Sequence, residues 1–426
     1  MSTLQPKHCK VHIDFIDDYV SSIVHSVLSS DPRFTILSSG SAYDSDSSAS
    51  SSSSAPPPPP SATFSYADYE NVHWSSVLSN KLSTCNFCVR KGISRKAQLS
   101  LYTSRHVSKN PTSILSSAVP KTMIIETWAA FDQSITTMTL PNGQTIQLDS
   151  ATMTLKEKLE LCLGPLRELF EFNPNDDFIL KPSATNKGAG IVVCNVFEQL
   201  EEVISDTPDI REWILQKYIS RPLLLNKRKF HIRAYVLAMG AIKVYFYDEI
   251  LALCSGSKYK ENNTSDLFAH ITNTAYQALD PNFREEECVL TMADVEKVLR
   301  RGKKGGKAEC DKMMSDMREI TKELFAAYKG ESTVYQPLDG CFEYYGIDFL
   351  VDENFDVSLL EVNPSPDFKQ TGERLEWLIG GLIEESIDMG IGSFDKYELE
   401  NRKRNWKLIY ESQANSSTVK RSMTLS

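Results

Sequence analysis

The 426-residue sequence predicts a mixed α/β chain (α+β in the looser sense), and three observations carry that expectation. From residue 178 onward, apolar runs of strand length interleave with longer stretches of helical periodicity. Hydrophobic residues make up 41% and charged residues 24% of the chain, which is ordinary globular usage with enough apolar surface for a large core. Low complexity is confined to a stretch of Ser and Ala from Ser39 that ends in five prolines, Pro56 to Pro60.

Charge, cysteine use and hydropathy exclude several classes of function. Lys and Arg number 46 against 56 Asp and Glu, a formal net charge of -10, so blanket binding of nucleic acid is not expected. No apolar run reaches the roughly 18 residues of a membrane span. The opening residues lack the apolar segment of a secretory leader and the Arg-rich character of a transit peptide. Nine scattered cysteines read as reduced thiols, which places the chain in the cytoplasm, with cytoskeletal or granule association and the nucleus left open.

Along the chain, Phe15, Tyr19, Val20, Ile23, Val24 and Val27 recur at helical spacing until Asp31-Pro32 breaks the pattern. The Ser/Pro-rich insert, 39–62, cannot bury enough surface to offset its ordering entropy and ends as polyproline II. It is read as a spacer, with an SH3- or WW-type partner as the alternative. Folded patterning resumes near Tyr66 and Trp74, and a second Ser/Thr-rich, Pro-punctuated stretch covers 104–120. Residues 121–128 are strand-like, and 155–172 read as a helix interrupted at Gly164-Pro165. Strands are expected at 178–182, 190–194, 213–218, 231–239, 242–247, 345–351 and 357–362. Helices are expected at 197–205, 292–300 and 310–328, with a basic loop at 300–307. That loop is a solvated turn or a contact for an acidic polypeptide.

Phosphate-binding and esterase signatures of the forms GxxxxGK[ST], GxGxxG and GxSxG are absent, so nucleotide binding has to come by another route. Four segments offer one. In Lys181-Pro-Ser-Ala-Thr-Asn-Lys187-Gly-Ala-Gly190, a strand leads into a loop of small residues whose N–H groups and two ammoniums can oppose a polyphosphate. A solvated hairpin is the plain alternative. Trp213 to Ile219 is a strand whose Gln216, Lys217 and Ile219 can offer backbone bonds and an apolar wall to a purine, or is merely buried. In Arg228 to Arg233, alternation puts Lys229, His231 and Arg233 on one face, a costly set to bury without an anion; a charged edge strand is the rival. Asp348, Glu361 and Asn363 fall on two apolar strands joined by a turn at 352–356, where hard oxygen donors suit Mg2+. Solvent-facing acids on an edge hairpin would explain them otherwise. Cys85-Asn-Phe-Cys88 lacks two further ligands for zinc, and Arg95-Lys96 opens what reads as a surface helix.

In chain order these segments resemble the tubulin–tyrosine ligase family of the ATP-grasp fold. The resemblance rests on KPSATNKGAGI, ILQKYISRPLLL, RKFHIRAYVL, HITNTAYQ and YGIDFLVDENFDVSLLEVNPSPDF, with DPRF and SRKAQL upstream. It is closest in texture to a fungal branch of tubulin-tyrosine-ligase-like proteins. It covers most of the chain outside the insert and the last 30 or so residues.

The resemblance implies an ATP-grasp fold with nucleotide between two antiparallel sheets. Its parts would be an N-terminal α/β subdomain at 1–120, a central subdomain at 121–230, a C-terminal subdomain with the Mg2+ site at 231–400, and a polar tail at 401–426. Lys181, Lys187 and Lys229 would hold ATP; Gln216, Lys217 and Ile219 would meet the adenine; Thr272 and Asn273 would line the site. Asp348, Glu361 and Asn363 would hold Mg2+. Arg233 would face the γ-phosphate and the reacting carboxylate, and Lys96 would reach the nucleotide from upstream. The implied reaction adds free tyrosine to the C-terminal tail of α-tubulin through an acyl phosphate. Two positions depart: His231 stands where the family has Asp, weakening a nucleotide contact, and Leu253 where it has an Arg expected near the substrate carboxylate. The same ligase chemistry on another acceptor or amino acid, or a nucleotide-binding interaction module, remain the alternatives.

Overall fold

The computed structural model describes residues 8–37, 61–139, 145–148, 152–185, 188–261, 263, 266–368, 376–391 and 405–412. Nearly all of the Ser/Pro-rich insert, Lys187 and most of the tail expected at 401–426 lie outside the described residues.

The N-terminal part is a parallel sheet of β1 (Cys9–Asp14), β2 (Phe34–Leu37), β3 (Phe64–Ala67) and β4 (Ser83–Thr84), in the order β2-β1-β3-β4. The helix Asp18–Ser29 makes the crossover from β1 to β2, as the apolar spacing required. Its Asp17 cap accepts from the Tyr19 N–H, and Val24 and Leu28 are its buried side.

The central part is an antiparallel sheet of β5 (Thr122–Glu126), β8 (Phe178–Pro182), β9 (Val192–Cys194) and β10 (Glu212–Lys217), ordered β5-β10-β8-β9. Between β5 and β8 come a small hairpin of β6 (Thr137–Thr139) and β7 (Thr145–Gln147). Helix Leu155–Phe172 runs unbroken through Pro165; a reciprocal Thr154–Glu157 capping box starts it, and Leu159, Leu163 and Leu166 lie against the sheet. Helix Phe197–Asp206 completes this layer.

The third part is an antiparallel sheet of β11 (Leu224–Leu225), β12 (Arg228–Met239), β13 (Lys243–Tyr247), β14 (Leu251–Cys254), β15 (Val289–Thr291), β16 (Phe342–Val351), β17 (Val357–Pro364) and β18 (Trp406–Glu411). The strand β12 is its spine: β14 and then β13 pair along one edge, and β16 runs down the other. It runs without a break from Arg228 to Met239. One face of this sheet, with Phe230, Ile232 and Ala234, packs on helix Lys307–Ala327. The other, with Tyr235 and Leu237, packs on helix Glu376–Gly390 and the N-terminal sheet.

The Ser/Thr-rich stretch 104–120, for which no element was expected, is helical in the end of Lys96–Lys109 and in Leu115–Ala118; Thr103 and Ser108 return their hydroxyls to the helix's own carbonyls. Two local expectations change. The strand expected from 190 starts at Val192, since Gly190 takes φ +71° to close the turn. The basic loop contracts to 302–306, as the helices Met292–Arg301 and Lys307–Ala327 grow inward. Arg300 pairs with Glu296, and Lys307 with Asp311 one turn on.

Candidate active site

The central sheet and the C-terminal sheet enclose a cleft, and alternation along their strands decides what faces it. On β8, Lys181 points in; its Nζ donates to Gln216 Oε1 of β10 at 2.8 Å. Gln216 is also used by Thr122, to which its Nε2 donates at 2.8 Å. Next along β10, Lys217 alternates outward: its ammonium is exposed and pairs with Asp176 at 2.9 Å, so its charge does not enter the cleft. Ile179, Ile191 and Ile219 supply an apolar wall.

The face expected on β12 forms as drawn. Lys229, His231 and Arg233 are all buried on one side, with Phe230 and Ile232 on the other. Lys229 Nζ donates to the Tyr218 hydroxyl at 2.8 Å, and Tyr218 is joined in turn to His270 Nδ1 at 2.7 Å. His231 Nδ1 meets Thr272 Oγ1 at 2.7 Å. His231 Nε2 makes no hydrogen bond but lies 3.9 Å from Asp348 Oδ2, and His231 and His270 both line the cleft. Orphaned donors or acceptors of this kind cost about 1–3 kcal/mol each unless something fills their valence.

The β16–β17 hairpin holds the acids. Register sets Asp348 opposite Glu361, with an irregularity just after Asp348. Asn363 Nδ2 reaches both Asp348 Oδ2 and Glu361 Oε1 at 3.2 Å. Arg233 forks onto Asp348 through Nε and through Nη2, the latter at 3.0 Å. Arg233 and Asn363 are thus both bonded to Asp348, which lines the cleft.

Lys96 comes from another direction and is no surface residue. It opens the helix Lys96–Lys109, whose first N–H groups are taken by Ser183: Lys96 N donates to its carbonyl at 3.2 Å and Ala97 N to its hydroxyl at 3.1 Å. That seam delivers Lys96 Nζ to the Thr185 carbonyl at 2.8 Å and to Glu361 Oε2 at 3.3 Å.

Electrostatics separate the cleft into two ends. Burial, with Lys181 nearby, lowers Lys229 to about 7. Burial, only partly offset by Glu361, lowers Lys181 to about 8. Burial would raise Glu361, yet Lys96, the Asn363 amide, Lys181 and Arg233 outweigh it and hold the carboxylate at about 2. Burial also lowers His231, against the pull of Asp348. Cations whose hydrogen-bond partners are neutral, beside a carboxylate–carboxylate–amide cluster, fit a polyphosphate with a divalent ion at its reactive end. Turning the Asn363 amide over would offer its oxygen to such an ion. The free volume is about 110 Å3, below the roughly 300–1,000 Å3 of ligand pockets.

The expected residues therefore converge, apart from the outward charge of Lys217, and Lys187 lies outside the described residues. Tyr218 and His270 were not anticipated as site residues. Both sat inside quoted motifs, and the signal missed was the need of a buried Lys229 for a polar partner. At Cys85 and Cys88 the thiols are free, and no cluster of three His, Cys, Asp or Glu side chains suited to a metal exists among the described residues. None of the described helices is long and apolar enough to cross a membrane.

Comparison with known proteins places this geometry. Residues 109–398 match the model of the tubulin-tyrosine ligase family. A probable tubulin–tyrosine ligase of Schizosaccharomyces pombe is 30% identical, over 91% of this chain and 93% of that protein. The probable tubulin–tyrosine ligase PBY1 of Saccharomyces cerevisiae is 31% identical over 76% of this chain, which spans only 45% of that longer protein. Among solved structures, the C-terminal domain of K. lactis Pby1 superposes with a TM-score of 0.62 at 25% identity, covering 95% of this chain and all of that one. That domain is described as an ATP-grasp enzyme interacting with the mRNA decapping enzyme Dcp2. The chain belongs to the tubulin-tyrosine ligase family and has the ATP-grasp fold.

Proposed function

We propose that this family member is an ATP- and Mg2+-dependent carboxylate–amine ligase that adds tyrosine to the C-terminal tail of α-tubulin. The observation that supports the ligase reading most is the opposition of Lys181 and Lys229, on facing sheets with neutral partners, to the Asp348–Glu361–Asn363 cluster.

When bound, ATP supplies a phosphoryl group that converts a carboxylate oxygen into a phosphate leaving group. Lys181, Lys229 and Lys96, joined by Lys187 on the family resemblance, oppose the phosphates. Asp348, Glu361 and Asn363 would hold Mg2+, which would supply charge neutralisation for phosphoryl transfer. The strand backbone around Gln216, Lys217 and Ile219 borders the base, because the Gln216 and Lys217 side chains are already engaged. Thr272, Asn273 and the one available nitrogen of His231 line the nucleotide. Arg233, kept charged by Asp348 in spite of burial, orients the reacting carboxylate. The amine nitrogen then bonds to the carbonyl carbon, phosphate leaves, and the surplus ammonium proton is released.

The test is Mg-ATP-dependent incorporation of labelled tyrosine into detyrosinated tubulin, with Glu361→Ala as control. We expect incorporation to fall by roughly 10²–10³-fold in the variant while its circular dichroism is retained. Wild-type-like turnover by Glu361→Ala would remove the metal assignment.

One observation favours a second reading, the same chemistry with another amine or acceptor. Leu253 is buried at the β14 position directly opposite His231, so no cation is available there for a substrate carboxylate. Ligation to a panel of peptides with varied C-termini and added amino acids separates the two, since a strict preference for tyrosine and tubulin tails eliminates the second.

A further inference from the structure

Among the described residues, no carboxylate hydrogen-bonds the buried ammonium of Lys229; the bond it makes is to a phenol. Its Nζ donates to the Tyr218 hydroxyl at 2.8 Å and lies 4.5 Å from the centre of the same ring. Both contacts favour the charged form of the lysine.

The direction of the Tyr218 hydroxyl follows from its other partner, His270 Nδ1, 2.7 Å away. A hydroxyl has one proton to give, and an imidazole nitrogen accepts it only when it carries none of its own. Burial first, and then Lys229, lower His270 and keep its ring neutral. Backbone groups at Lys260 and Asn263 favour a proton on that ring, and with Nδ1 taken by the hydroxyl it belongs on Nε2. Tyr218 therefore donates to His270 and turns a lone pair toward Lys229. Burial keeps the phenol itself from ionising.

Each member is fixed from its own element. Tyr218 N donates to the Asp177 carbonyl at 2.9 Å. His270 closes the short helix Leu267–His270, and Gln277 Nε2 donates to the carbonyls of Phe268 and Ile271 around it. The Tyr259 ring packs on His270 at 4.8 Å, with its hydroxyl given to the Ser220 carbonyl at 2.6 Å. The titratable groups facing the three are Lys181, His231, Tyr259, Asp177 and Asp266.

We propose that Tyr218 and His270 are positioning residues for Lys229, a relay of two hydrogen bonds that holds its side chain at the cleft and keeps its proton in place for a nucleotide phosphate. The inference rests on the reading of Lys229 as a phosphate ligand.

The test measures, by calorimetry on the full-length chain with Mg2+, binding of a non-hydrolysable ATP analogue and of adenosine between pH 5.5 and 8. Tyr218→Phe keeps the ring and removes the hydroxyl. Losing a hydrogen bond to the charged form costs Lys229 about a factor of ten in proton affinity. Analogue binding should therefore weaken about five- to tenfold at pH 7.5 and less than about twofold at pH 5.5, where Lys229 is protonated in either protein. A purely structural defect would weaken binding alike at both pH values. His270→Leu should act in the same direction, whereas His270→Asn, with an amide oxygen near the place of Nδ1, should keep most of the affinity. The double variant Tyr218→Phe, His270→Leu should be no weaker than Tyr218→Phe alone, since His270 acts through the hydroxyl. Adenosine, which has no phosphates, should stay within about twofold in every variant. A loss independent of pH, an equal loss of adenosine binding, or additive effects in the double variant overturns the proposal. Lys229→Met keeps the two readings apart. If it leaves analogue binding unchanged, Lys229 is no phosphate ligand and the relay falls with it. If it weakens binding while Tyr218→Phe does not, Lys229 keeps its place and the relay alone is removed.

Discussion

At the nucleotide end of the cleft, three lysines from three separate elements converge, two of them on neutral partners. Elsewhere, Leu253 fills the place opposite His231, and Glu285 and Asp367 line a separate cavity. The first region is electropositive and poised for phosphate; the second is apolar and acidic. Activating a carboxylate requires the first in any ligase of this chemistry, whereas Leu253 leaves no cation in its place for a substrate carboxylate. The difference separates the part of the molecule that performs the reaction from the part that selects a substrate.

The largest effect is expected at the pair that anchors the first region. Arg233 and Asp348 are both buried and forked together, so Arg233→Met strands a carboxylate in the core. Removing one partner of a buried pair costs about 3–5 kcal/mol, which urea unfolding would register as a lower midpoint. Arg233→Met combined with Asp348→Leu should recover most of that loss, because no unpaired charge remains. If the single variant is as stable as the parent, the pair is not the desolvated anchor of that region.

How much of this contrast the chain discloses before folding differs between the two regions. The nucleotide end was legible because its chemistry rides on strands: period-two alternation alone puts Lys229, His231 and Arg233 on one face and Glu361 with Asn363 on another. The fold class was legible for the same reason, in the apolar runs of β8, β10, β12, β16 and β17. Lys96 was legible only through the family resemblance, since its burial depends on the first N–H groups of its helix bonding to Ser183, 86 residues on from Ala97. Residues 104–120 carried no readable element, because Ser and Thr hydroxyls can bond back within a helix as readily as they can break one. The acidic cavity was invisible: Thr274, Glu285 and Asp367 come from unconnected loops and short helices with no shared period.

A smaller effect bears on the second region. Leu253→Arg places a guanidinium on the face shared with His231, near Tyr235. A charge-assisted hydrogen bond is worth about 1.5–3 kcal/mol, so binding of free L-glutamate with the ATP analogue should tighten by about tenfold or more. No change in glutamate binding would mean that residue 253 does not face the bound amino acid.

The smallest effect is a pH dependence at the nucleotide end. Lys229 is lowered to about 7 and Lys181 to about 8 in the free protein, chiefly by burial. A bound phosphate favours the ammonium, so it raises both values, and binding draws in protons over the window between the free and bound pKa. Affinity is therefore greatest below pH 7 and declines as pH rises through 7 and 8, the direction opposite to that of a carboxylate site. From pH 7 to 8, loss of the proton on Lys229 weakens binding about fivefold, and Lys181 adds about twofold. Nucleotide phosphates, with a second pKa near 6, are already ionised there and do not mask the trend. Calorimetry at pH 7.5 in two buffers of different ionisation enthalpy measures the uptake directly. Lys229→Met should remove most of it, whereas Glu285→Gln, in the separate cavity, should leave it intact. Proton uptake that survives Lys229→Met would move the titrating group away from β12 and leave the electropositive end without its most sensitive member.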